Sequence, residues 1–145
     1  MRGFKVAKGF ENSNIILPKR QTKNAAGYDF YVAEDTIIKA HNIALIPTGV
    51  KAYMESDEVL NIYIRSSMPL KKGLTLANNV GVIDSDYYEN PSNDGHIMIQ
   101  VLNFSDEDIL IKKSERIAQG VFMKYLLTVD DDAKSDRIGG FGSTK

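Results

Sequence analysis

Residues 59–65 alternate strictly, with Leu60, Ile62 and Ile64 on one face and Asn61, Tyr63 and Arg65 on the other. A period of two is the signature of a half-buried strand. The stretch 97–103 repeats it, Ile97, Ile99 and Val101 opposing Met98, Gln100 and Leu102. Shorter runs rich in Ile, Val, Leu and Tyr occupy 27–32, 36–38, 43–46, 50–54, 80–84, 109–111 and 117–125, separated by Gly, Pro, Asn and Asp. This spacing predicts an all-β domain. There is no internal repeat and no sustained helical periodicity. One helical turn is expected over 66–72, with a serine as N-cap and Pro69 tolerated in the first turn.

Composition narrows the chemistry. At 145 residues and 43% hydrophobic content the chain is sized for one domain with a single modest core. A net charge of -1 argues against a nucleic-acid polymer or an acidic membrane as partner, because both are held by surplus Lys and Arg. A small anion gripped by a few placed cations fits this charge. The absence of cysteine excludes disulfides, thiol nucleophiles and thiolate metal sites, and with only His41 and His96 a metal is expected to be a hard one held by oxygens. Both histidines are expected to be solvated, at a strand edge and a hairpin arm. Residues 1–10 lack a secretory core and no run reaches the roughly 18 apolar residues of a membrane span. A soluble, cytoplasmic protein is the expectation.

The C-terminal strip differs from the rest. The acidic run Asp130-Asp131-Asp132 marks where a packed body, 1–129, is expected to give way to a mobile tail, 130–145. Phe141 is the only aromatic of that tail, which therefore has no core of its own and needs a surface to close on. Arg137, three glycines, Phe141, Ser143 and Thr144 are the parts of a nucleotide flap: a guanidinium forks onto phosphate, glycine-flanked N–H groups approach a polyanion, and an aromatic lies on a base.

Four further segments carry chemistry. Arg65-Ser66-Ser67 follows an alternating strand and precedes the helical turn; it is either a phosphate cradle or a capped turn with surface cations, Lys71 and Lys72 adding charge nearby. In Gly81-Val82-Ile83-Asp84-Ser85-Asp86-Tyr87, Asp84 shares the face of Val80 and Val82, where a partly buried carboxylate must be bonded or used as a base; the alternative is a turn-starting Asp. Asp29 interrupts another apolar strand and could stand near a divalent cation. Arg116 reads as an ion-pair partner, and Gln119 as a phosphate donor or a turn former.

Together these segments resemble the ordered motifs of the trimeric dUTP pyrophosphatases. The first is 26–30, the second Arg65-Ser66-Ser67 through Lys71 and Gly73, the third 78–87, the fourth 116–119, and the fifth Arg137 with 140–144. The resemblance runs from about residue 25 to the end, and ordered motifs at compatible spacing are far more specific than any one alone. It implies a distorted β-barrel or jelly-roll-like body of the β-clip type and a homotrimer whose sites lie at subunit boundaries. Each site would take the first, second and fourth motifs from one chain, the third from a neighbour and the tail from the remaining one. It also implies hydrolysis of dUTP to dUMP and pyrophosphate with magnesium.

By resemblance, Asp84 is the base for the water attacking the α-phosphorus, and Tyr87 packs beneath the deoxyribose. Asn78 and backbone groups around Gly81, Val82, Ile97 and Met98, on a hairpin from 80 to 98, read uracil and crowd out a 5-methyl group. Arg65, Ser66, Ser67 and Gln119 hold the phosphates. Arg137, Ser143 and Thr144 close on the γ-phosphate while Phe141 stacks on the base, Gly142 between them also meets substrate, and Asp29 meets Mg2+ through water. The stretch 88–94 lengthens the third motif beyond the family's usual quick return. Two alternatives accompany this reading: a dCTP deaminase on the same fold, disfavoured because Gln100 stands where that enzyme has a glutamate, and a phage-type regulatory role in which the extended hairpin meets a protein partner.

Overall fold

The structure, a computed structural model of the chain, describes residues 1–142. Each alternating run becomes a strand. In chain order these are β1 (Gly3–Val6), β2 (Tyr28–Tyr31), β3 (Thr36–Ile38), β4 (Ile43–Pro47), β5 (Val50–Tyr53), β6 (Glu58–Ile64), β7 (Leu74–Leu76), β8 (Gly81–Asp84), β9 (Met98–Asn103), β10 (Ile109–Ile111) and β11 (Arg116–Lys124). The helical turn is α1 (Met68–Lys72), with Ser67 at its N-cap and Pro69 in the first turn. Ser67 makes no side-chain cap bond, which leaves its hydroxyl uncommitted to the helix.

The strands form a four-stranded sheet in the order β2-β11-β6-β8, a three-stranded sheet β4-β9-β7, and the pairs β1-β5 and β3-β10, all antiparallel. Phe30 of β2, Leu60 of β6, Ile46 of β4, Ile99 and Val101 of β9, and Ile117 of β11 are buried in one cluster, so the inner faces of both larger sheets share a core. Such side chains each contribute about 1.5–3 kcal/mol on burial. The rings of Phe4, Phe30 and Phe122 extend that core toward β1, with centroids 5.6 and 5.4 Å from Phe4. No helix among the described residues is long and apolar enough to cross a membrane.

The stretch 80–98 departs from expectation. The sequence predicts a hairpin there, yet β8 pairs with β6 while β9 pairs with β4 and β7, so its two arms belong to different sheets. The intervening loop folds on itself and splays them: Asn90 and Asp94 bond back within it, and Lys51 of β5 grips Glu89 at 2.7 Å and Asp94 at 2.9 Å. Burial lowers the lysine and the two carboxylate bonds outweigh it, leaving its pKa raised.

Candidate active site

The gap between β8 and β9 is a cavity of about 220 Å³ lined by Asn78, Gly81, Val82, Tyr87 and Met98 with Phe141 at its mouth. β8 is an edge strand, so one row of its backbone N–H and C=O groups is left unpaired within the sheet. Asn78 sits in the turn before β8, where Val80 N–H donates to its carbonyl at 2.7 Å. Ile97 lies at 0% exposure in the core and is not part of the lining, and its N–H and carbonyl already bond the Val50 carbonyl at 2.9 Å and the Thr48 hydroxyl at 2.6 Å, so nothing here supports the expectation that it contacts a ligand.

Asp84 ends β8 opposite Val59 of β6. The expectation of a partly buried carboxylate is corrected: Val82 is 61% exposed and the Asp84 side chain 50%, because both lie on the outer face of β8. After Asp84 a single 3-10 turn, Ser85–Tyr87, carries Tyr87 down to 6% exposure. Its hydroxyl donates to the His96 carbonyl at 2.6 Å and accepts from Asn93 Nδ2 at 2.8 Å. Burial pushes the Tyr87 phenol up, which keeps it a donor.

The tail folds back onto this strand. Arg137 donates from Nη2 to Asp84 at 2.5 Å and from Nε to Asp86 at 2.7 Å. The resemblance puts Arg137 on a phosphate; in the free chain it sits on the two carboxylates instead, the anions at hand. Gly140 lies flat against Tyr87, where an added Cβ would come within 2.7 Å of Cε1. Phe141 is 61% exposed. Leu126, Leu127 and Val129, placed by the sequence reading in the packed body, are largely exposed. Ser143 and Thr144 lie outside the described residues.

A second group gathers at the other end of β6. Arg65 N–H donates to the Ile117 carbonyl at 3.0 Å, and Met68 N–H to the Arg65 carbonyl at 2.9 Å, turning the chain so that Ser66 is exposed. Gln119 of β11 lies opposite Tyr63 of β6 and opposite Asp29 of β2, with its side chain over Gly27. The irregularity between Arg116 and Ala118 accompanies an ion pair from Arg116 Nη1 to Asp29 Oδ2 at 3.2 Å. Arg65, Ser66, Ser67, Gln119 and Asp29 thus share one end of the sheet, and Asp84, Tyr87 and Arg137 the other. From Val59 to Arg65 a strand rises about 20 Å.

His96 is not solvated. Its Nε2 accepts the Gly49 N–H at 2.9 Å, the Phe10 ring lies 4.6 Å away, and burial lowers its pKa from the ordinary 6.5. The packing partner comes from the far N-terminal segment, which no local pattern reveals. Since the folded state keeps the imidazole neutral while the unfolded chain protonates it, its contribution is whole above 6.5 and is lost as pH falls through the depressed folded value. Urea unfolding at fixed protein concentration should therefore show lower stability near pH 5.5 than near pH 7.5, and His96→Gln should flatten that difference. Equal pH dependence in the variant would contradict this account.

Sequence reasoning also missed Asp86 as a partner of Arg137, Gly140 as the seat on Tyr87, and Asn93 as its donor. The turn-rich Asn90-Pro91-Ser92-Asn93-Asp94-Gly95 was the available signal for the last.

Comparison with known proteins identifies the family. The family profile described as dUTPase matches residues 13–145. The deoxyuridine 5'-triphosphate nucleotidohydrolase of Lactococcus lactis subsp. lactis (strain IL1403) is 53% identical over 99% of this chain and 97% of its own. The crystal structure of dUTPase from Streptococcus mutans superposes with a TM-score of 0.83 at 54% identity, covering 87% of this chain and 98% of that one. A mutant dUTPase from phage phi11 of S. aureus, whose structure is described as giving the coordination of a structural Mg(II) ion, shares the fold at a TM-score of 0.74 and 18% identity over 93% of this chain and 97% of its own. With its motifs at both ends of β6 and relatives of this closeness, the chain belongs to the dUTPase family, hydrolases that convert dUTP to dUMP.

Proposed function

We propose that this dUTPase builds each active site from more than one copy of the chain, as a homotrimer. The observation that carries the reading is the separation along β6: the base Asp84 stands beside Val59, whereas the phosphate-holding group follows Ile64. A nucleoside triphosphate in contact with both must bring one end of β6 against the opposite end in a neighbour, since about 20 Å exceeds the reach from a water at the α-phosphorus to the residues on that same phosphate chain.

Within such a site uracil enters the gap between β8 and β9, where backbone groups of Gly81, Val82 and Met98 with Asn78 bond its polar edge and leave no space for a 5-methyl group. The ring of Tyr87 floors the deoxyribose. Asp84 takes a proton from water as the water oxygen bonds the α-phosphorus; the bond from that phosphorus to the α,β-bridging oxygen breaks, and pyrophosphate leaves with the electron pair. Arg65, Ser66, Ser67 and Gln119 align the phosphates, which is most of what phosphoryl transfer asks of a protein. Arg137 leaves Asp84 and Asp86 for the γ-phosphate, freeing the base, as Phe141 covers uracil and Gly142, Ser143 and Thr144 follow.

Among the described residues no three His, Asp or Glu side chains group as a metal cage. The half-committed Asp29, 14% exposed, fits a hard ion that arrives on the triphosphate and keeps its waters. Magnesium, when bound, neutralises phosphate charge, with Asp29 holding it through water. Pyrophosphate release across the deoxynucleoside triphosphates, alongside light scattering, tests the proposal: dUTP alone should turn over, by a trimer. A fully active monomer, or ammonia released from dCTP, would overturn it.

A further inference from the structure

The extended loop after Tyr87 reads from sequence as a partner surface. Its side chains point to another use. Asn90, 5% exposed, donates from Nδ2 to the Tyr87 carbonyl at 2.8 Å and to Asn93 Oδ1 at 2.8 Å. Its Oδ1 accepts the N–H groups of Ser92 at 3.0 Å and Asn93 at 3.2 Å. Asn93 Oδ1 also accepts the Gly95 N–H at 3.1 Å, which leaves Asn93 Nδ2 aimed at the Tyr87 hydroxyl, 2.8 Å away. Gly95, at φ +81, is where the loop returns so closely that a Cβ would meet the Tyr87 carbonyl oxygen at 2.8 Å. Lys51 and the Lys8 N–H tie Asp94 to the body at 2.9 and 2.8 Å. The loop therefore grips Tyr87 at both its backbone and its ring tip.

We propose that Asn93 is a positioning residue for sugar selection: its amide, by donating to the Tyr87 hydroxyl, fixes the ring at the height that admits deoxyribose and rejects a 2'-hydroxyl. The inference rests on the reading of Tyr87 as the floor beneath the sugar. The hydroxyl has two bonds, one to the His96 carbonyl and one from Asn93, and together they define the ring's tilt where one would leave it a hinge. Gly140 lies on the same ring, so a tilted ring also alters how the tail seats. A site built around fixed polar and steric contacts discriminates strongly, so loosening one such contact lowers selectivity.

The test is the ratio of kcat/KM for dUTP to that for UTP, measured by pyrophosphate release on purified assemblies whose oligomeric state and Tm are checked. Asn93→Ala should lower the ratio about tenfold, mainly by raising activity on UTP, the scale of one well-made hydrogen bond to a positioned group. Asn93→Asp keeps the Oδ1 acceptor for Asn90 and Gly95 but has no N–H for Tyr87, so it should lose discrimination to a similar degree even if the alanine variant folds poorly. In a Tyr87→Phe background, Asn93→Ala should change the ratio no further, because the shared bond is already gone. A wild-type ratio in Asn93→Asp, or additive losses in the double variant, would overturn the positioning role. Tyr87→Ala separates the two layers: an unchanged ratio there means that the reading of Tyr87 fails, whereas a collapsed ratio there with Asn93 variants unaffected sinks only the role of Asn93.

Discussion

Replacing Asp84 with asparagine is expected to reduce kcat by at least ~10²–10⁴-fold, the usual loss on removing a general base, with dUTP affinity largely retained. The carboxylate lies half exposed on the outer face of β8, free of buried contacts, so the amide fits without strain and the fold is undisturbed. What changes is proton acceptance. The substitution also removes one of the two anions that hold Arg137 in the free chain, leaving Asp86 alone at 2.7 Å. The tail should then be easier to detach before substrate arrives, and limited proteolysis within 126–138 should quicken. Stopped-flow turnover and binding of a non-hydrolysable analogue separate the two effects, and near-wild-type kcat would remove Asp84 from the role of base.

The strands were legible because their periodicity is local. Residues 36–38 and 109–111 are β3 and β10 to the residue, and β6 and β9 keep the alternation read from Leu60, Ile62 and Ile64 and from Ile99 and Val101. β1 and β7 escaped, although they are no shorter than β3 and β10, because Gly3-Phe4-Lys5-Val6 and Leu74-Thr75-Leu76 lack the clustered β-branched residues that marked those runs. The supposed hairpin over 80–98 failed for a different reason: two strands close in sequence usually pair, but here a loop with its own hydrogen bonds and a lysine from β5 inside it holds them in separate sheets. That separation makes the cavity. Candidate site residues were legible as motifs, while their mutual bonds were not, because Arg137 meets Asp84 across 53 residues and His96 is packed by Phe10 of the distant N-terminal segment.

The arrangement along β6 has its sharpest consequence in mixed assemblies. Asp84→Asn chains retain Arg65 and Ser66; chains carrying Arg65→Ala and Ser66→Ala retain Asp84. Each variant alone should be nearly inactive, since every site in either homotrimer lacks one half. If a site joins the phosphate end of one β6 to the Asp84 end of the next, any cyclic trimer containing both variants has one junction where both halves are intact. Random exchange at equal amounts makes roughly three quarters of trimers mixed, each with about one working site in three, so activity should recover to about one quarter of wild type. Exchange is achieved by co-refolding or co-expression, and unmixed controls refolded in parallel should stay inactive. Each chain carries an intact tail, so closure is not limiting in any assembly. Activity that stays at the sum of the two separate variants, in preparations shown by mass to contain mixed trimers, would mean that each chain completes its own site and that the two ends of β6 serve different purposes.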